Sequence, residues 1–167
     1  MQNSVEAFPI LRAKKNADLF RKYGVLNRAE VESRMHIAVE KYVKQLGIEA
    51  EMMISIARTQ VLPAALRHQA QLAGAVGAAQ AAGAGTPGQA RALKEFVALA
   101  NELRDAATGL ERVAAHHEDE PLRHAQQIKR EVKPAMERVR AAVDALETHV
   151  AADLWPLPTY RELLFLK

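Results

Sequence analysis

The stretch NRAEVESRMHIAVEKYVKQLGIEAEMMISIARTQVLPAAL, residues 27–66, reads as one long amphipathic helix. Asn27 can accept from the backbone N–H of Glu30, and the Glu30 carboxylate can reach back to the Asn27 N–H, a reciprocal arrangement that opens helices. Met35, Val39, Tyr42, Val43 and Leu46 follow at steps of three and four residues, so they share one face. Ile48, Met52, Met53, Ile56 and Leu62 continue the apolar load, and no run of strand formers competes. Gly47 sits inside this helix at a cost of about 1 kcal/mol relative to alanine. Pro63 lacks the N–H that would bond to Thr59 and crowds that carbonyl, so a kink is expected there. The pattern has no turn-rich gap at either point, which predicts one kinked helix over 28–82.

On its N-terminal side, residues 1–9 read as irregular and 10–23 as a short helix burying Leu11, Leu19 and Phe20. Gly24 fits the left-handed position that ends a helix. On the other side, AGAGTPG (82–88) is a turn, with Thr86 as N-cap and Pro87 as first residue of a helix over 87–118. Leu93, Phe96, Ala100, Leu103, Ala107, Leu110 and Ala114 make a seam of alternating three- and four-residue steps, with alanine at every second position from Ala100, which implies close antiparallel packing. HHEDE (116–120) is a second turn, and Pro121 restarts a helix over 121–153 whose seam runs Ala125, Ile128, Val132, Ala135, Val139, Val143, Leu146, Val150. Pro134 interrupts it.

Segments 48–82, 87–118 and 121–153 are each about 48–52 Å long at 1.5 Å per residue. The predicted fold is therefore all-α: an antiparallel bundle of long helices with a kinked central helix, a short N-terminal helix and an apolar C-terminal tail. Turns at 83–86 and 118–121 place residues opposite one another when their numbers add to about 169 and about 239. The first helix folds back along 28–46 and covers Met35, Val39 and Tyr42. The chain is read as a single domain over 1–167.

The composition narrows the chemistry. With 49% hydrophobic but only 5% aromatic residues, alanine and leucine supply the apolar surface, as in helical proteins. There is no cysteine, hence no disulfide, no thiol nucleophile and no cysteine metal site. The net charge of +3 is spread among interleaved acids and bases. Arg12, Lys14, Lys15, Arg21 and Lys22 are the nearest thing to a nucleic-acid patch and read as a solvated helix face. No segment has the layout of a signal peptide or a membrane span, so a cytoplasmic chain with neither nucleic-acid nor membrane partner is expected.

No active site is legible. His116, His117, Glu118, Asp119, Glu120 and His124 crowd one turn, where histidines and carboxylates could hold a divalent ion, but their spacing fixes no coordination geometry and a polar hairpin tip looks the same. Glu30, Glu32, Glu40, Glu49 and Glu51 lack the Glu-x-x-His partners of a di-metal bundle and read as surface ion-pair residues, with Glu30–Arg34 and Glu40–Lys44 as pairs. His36 and His68 have no triad partners. The glycines of 82–88 lack the strand and the Lys-Ser/Thr of a phosphate loop. Met52 and Met53 read as core. No catalytic, cofactor-binding or metal residue is assigned.

Four blocks carry a family resemblance: NRAEVESR (27–34), EKYVKQLGIEAEMM (40–53), VLPA (61–64) and LWPLPTYRELLF (154–165). Together they resemble the C-terminal helical region of type III glutamine synthetases. The likeness spans nearly the whole chain, with about residues 74–120 alike in helical character only. It implies a parent that joins ammonia to glutamate with ATP and Mg or Mn, in large ring-shaped homo-oligomers, with those sites on a preceding β-rich catalytic domain. None of the family's site motifs falls on a position of this sequence. The implied role is a non-catalytic structural and oligomerisation domain, excised from the C-terminus of a larger enzyme, with Met1 an introduced start. Its partners would be the catalytic domain of the same polypeptide and neighbouring subunits. A free-standing helical interaction module and a metal- or ligand-binding bundle at the 116–124 turn are the alternatives.

The tail over 154–167 supplies the interface candidates: Trp155, Leu157, Tyr160, Leu163, Leu164 and Phe165. Trp155 to Pro158 cannot continue the preceding helix, and Thr159 with Glu162 forms a second capping arrangement. So dense an apolar cluster has to cover something. It either docks on the catalytic domain or a neighbouring subunit, or caps its own bundle end over 82–93.

Overall fold

Asn27 and Glu30 close on each other as the sequence requires. Glu30 N donates to Asn27 Oδ1 at 2.9 Å, and Asn27 N donates to Glu30 Oε2 at 2.6 Å. The computed structural model describes residues 4–158 and 160–164. In chain order the helices are α1 (Ser4–Leu11), α2 (Lys14–Lys22), α3 (Arg28–Ile56), α4 (Leu62–Ala81), α5 (Pro87–Ala114), α6 (Pro121–Gln127), α7 (Lys133–Glu147) and α8 (Tyr160–Leu164). A π turn at Ala57–Val61 joins α3 to α4, and another at Ile128–Val132 joins α6 to α7. The chain is all-α, with no strand among the described residues.

The two π turns are how the prolines are absorbed. Pro63 and Pro134 each follow a π turn by two residues. Leu62 N donates to Ala57 O, and Lys133 N donates to Ile128 O, each five residues back. One extra residue in the turn moves the carbonyl that the proline ring would crowd, so the helical run stays unbroken from Arg28 to Ala81.

Contacts gather the chain into two compact units. The first holds residues up to Glu51 together with Arg112–Pro134. Its core packs Val5 and Phe8 of α1 against Met35, Val39 and Ala125, with Tyr42 edge-on to Phe8 at 6.0 Å between ring centres. Residues 4–11 thus cover α3 where a helix over 10–23 was expected. Residues 4–9, expected to be irregular, are helical, and the helix expected over 10–23 is broken between the end of α1 and the start of α2. Burial of Val5 and Phe8 offsets what Pro9 costs inside α1. Leu11 and Leu19 are exposed, Phe20 is half-buried, and α2 buries no residue. Gly24 ends α2 as predicted, at φ +63, with Val25 N donating to Phe20 O.

The second unit holds Met52–Glu111 and the chain from Ala135 onward. Here α4 and α5 run antiparallel, because Arg58 pairs with Glu111 while His68 stacks edge-on against Phe96 at 4.9 Å. Phe96, Ala100, Leu103, Ala107 and Leu110, the centre of the predicted α5 seam, are the buried residues of that helix. Gly83 (φ +75) closes α4 with Ala84 N donating to Ala79 O. Thr86 precedes Pro87 as predicted, but its hydroxyl is buried without a partner and does not cap.

Other details depart from the sequence reading. The helix expected over 87–118 stops at Ala114. Three successive acids oppose the negative end of a helix, and Glu120 instead caps α6, its carboxylate accepting from Leu122 N and Arg123 N. The helix expected to reach 153 stops at Glu147, where the Thr148 hydroxyl donates to the Ala145 carbonyl. On the last seam Ala142 is buried and Val143 half-buried. Along the long helix the inner positions go to Ala50, Ala57, Ala64 and Ala65, leaving Ile48 and Met52 62% and 55% exposed. Glu30 turns to its cap rather than to Arg34.

Candidate functional site

Within the first unit, one side of α3 faces the histidine turn across a cleft of about 340 Å³. The α3 wall presents Val43, Lys44, Gly47, Ile48, Ala50 and Glu51. Opposite stand His116 and His117 of the turn, His124 and Gln127 of α6, and Ile128 and Val132 of the π turn. The Glu120 cap and Pro121 fix where α6 begins, and so where His124 lies.

The rings of His117 and His124 meet edge to face at 5.0 Å. His116 Nε2 lies 3.4 Å from Glu118 Oε1. His124 is half-buried, and burial holds its pKa below the usual histidine value. The charges of His117 and His116 push the same way, and Glu118 opposes them. Gln127 is 3% exposed; its Nε2 donates to Val113 O at 3.1 Å, tying the end of α5 to α6, while its Oε1 is buried without a partner. Among the described residues, no three histidine or carboxylate side chains converge as they would around a metal ion.

Sequence reasoning reached the histidine turn but not the α3 wall, nor Gln127. The one signal for the wall was Gly47, an unfavourable residue in mid-helix.

The tail divides in two. Trp155 and Leu157 are half-buried, and Trp155 Nε1 is buried without a partner. Tyr160 opens α8, on which Leu163 and Leu164 are 59% and 72% exposed. Phe165 lies outside the described residues, as does Thr159 of the expected second cap. The remaining candidates are ordinary surface groups: Arg12 pairs with Glu32 at 3.5 Å, Lys44 with Glu40 at 3.9 Å, and Gln45 Nε2 donates to Glu49 at 3.0 Å. Among the described residues no helix is long and apolar enough to cross a membrane.

Comparison with known proteins gives these features a context. The family of glutamine synthetase C-terminal domains matches residues 1–80. A type-3 glutamine synthetase of Dictyostelium discoideum is 32% identical over the whole of this chain. Residues 1–80 are thus similar to glutamine synthetase C-terminal domains, and the whole chain is similar to part of a type-3 glutamine synthetase. A glutamine synthetase of Bacteroides fragilis is 26% identical over 86% of the chain. The chain spans 24% of the Dictyostelium relative's length and 21% of the Bacteroides relative's. The blocks at 27–34, 40–53 and 61–64 fall inside the region matched by the family, and the tail is matched through the Dictyostelium relative.

Proposed function

We propose that this chain is the non-catalytic structural domain of a type III glutamine synthetase, acting by contact. The observation that carries this reading is the match of the whole chain to 24% of a type-3 glutamine synthetase, joined to an α8 whose Leu163 and Leu164 face solvent. Exposed leucines on a short terminal helix gain free energy only when something covers them. The occupant is the catalytic part of the same polypeptide or a neighbouring subunit of a homo-oligomer. ATP and Mg or Mn act in that catalytic part, in a cytoplasmic enzyme, and this domain shapes the subunit and its contacts. Nucleic acid and membrane are not partners in this reading.

Trp155 and Leu157, by contrast, are half-buried in this chain, so the exposed apolar surface of the tail lies on α8. The test is an assay for ATP-dependent glutamine formation by the isolated chain with added magnesium or manganese. No turnover above a buffer blank is expected, and turnover above it would reject the structural reading.

A further inference from the structure

Three unusual features meet at the cleft between α3 and the histidine turn, all within the first unit. Gly47 stands well inside a 29-residue helix, where glycine is the least favoured residue after proline. Packing does not demand it, because a Cβ built there would meet nothing within 4 Å. The space left open belongs to the cleft. The facing wall includes Ile128 and Val132 of a π turn, a distortion that recurs at functional sites. Between them Gln127, almost fully buried, keeps an acceptor oxygen without a donor. Native proteins leave few such groups unpaired.

We propose that this cleft binds a small aromatic carboxylate that carries an O–H or N–H donor. This goes beyond the structural role proposed above and does not depend on it. The volume, about 340 Å³, lies at the small end of ligand pockets. Val43, Ala50, Ile128 and Val132 make apolar walls for a flat ring, and the imidazoles of His117 and His124 add aromatic edges. Lys44 supplies the cationic rim for the carboxylate, and the His116 imidazole adds a polar group to the same lining. Glu51, the one acid in the lining, sits two helical turns from Lys44, which directs the anion to the Lys44 end. A donor on the ring would satisfy the unpaired Gln127 oxygen, whose residue belongs to the same lining.

The probe is 4-hydroxyphenylacetate, titrated into the 167-residue chain while backbone amide resonances are followed by NMR. Saturable shifts at Gly47, Ala50, His124 and Ile128, with a Kd below about 1 mM, are expected. Phenylacetate, which lacks the donor, and 4-hydroxyphenylethanol, which lacks the carboxylate, should each bind about tenfold more weakly or worse. Gly47→Leu fills the cleft and should abolish the shifts with helical circular dichroism retained; Gln127→Leu should remove the advantage of the hydroxyl. No saturable shift at the cleft amides, equal binding of all three probes, or undiminished binding by a folded Gly47→Leu chain overturns the proposal.

Discussion

The Arg58 guanidinium forks onto the Glu111 carboxylate, with Nη1 3.0 Å from Oε1 and Nη2 2.5 Å from Oε2. Two parallel bonds fix the facing direction of both side chains. The pair lies at the register that a turn at 83–86 demands, in which facing residue numbers add to about 169. Gln127 and Val113 do the same for the second turn, where the sum is about 239. Both side chains of the ion pair are well exposed, at 42% and 50%, so its strength is screened. A double-mutant cycle on Arg58→Ala and Glu111→Ala should give a coupling of about 0.2–1 kcal/mol that shrinks with added salt. A coupling near zero at low salt would show that the fork does not help set the register.

Gly47→Ala should stabilise the chain by about 0.5–1 kcal/mol. The added methyl meets nothing, so the helix propensity gain is not offset by a clash. Urea unfolding measures it, and a loss of stability would mean that the cleft wall is tighter than the structure shows.

Ala107 is 1% exposed on the α5 seam, whereas Ala98 on the same helix faces solvent. Ala107→Leu should cost about 1–3 kcal/mol by overpacking. Ala98→Leu should stay within about 0.5 kcal/mol of the parent. Equal effects would contradict the seam.

His124 links stability to pH. Its folded pKa lies below 6.5, so as pH falls the unfolded chain takes up the proton first. The contribution of neutral His124 is full above the unfolded value and is lost as pH falls through about 6.5 toward the folded value. Glu6, held low by its bond to Lys129, and Glu131, held low by Arg130, titrate below that window. Stability should therefore fall as pH drops from about 7.5 through about 6.5, and His124→Gln should flatten that slope. An unchanged slope in the variant would assign the drop to other groups.

The fold was legible where local chemistry and periodicity agree. Asn27 with Glu30, Gly24, and the α5 seam all stand where the sequence puts them, because each rests on spacing within one helix. Three things were not legible. Pro9 masks α1, since the gain that sustains that helix is tertiary burial of Val5 and Phe8. Met52 reads as core by hydrophobicity, yet alanines let helices approach closely and so take the inner positions. The cleft is built from segments far apart in sequence, so only folding brings Gly47 opposite Ile128. The tail candidates were legible as a cluster, but not that Trp155 and Leu157 are half-buried while Leu163 and Leu164 are exposed.

The central claim is that α8 works by being covered in the whole enzyme. Amide hydrogen exchange over residues 160–164 tests it most directly, measured in the dilute isolated chain and again in a full-length glutamine synthetase carrying this domain. A five-residue helix with two exposed leucines should exchange rapidly in the isolated chain. The account predicts strong protection of the same amides in the full-length enzyme. Equal, rapid exchange in both would contradict it, because nothing would then cover the helix.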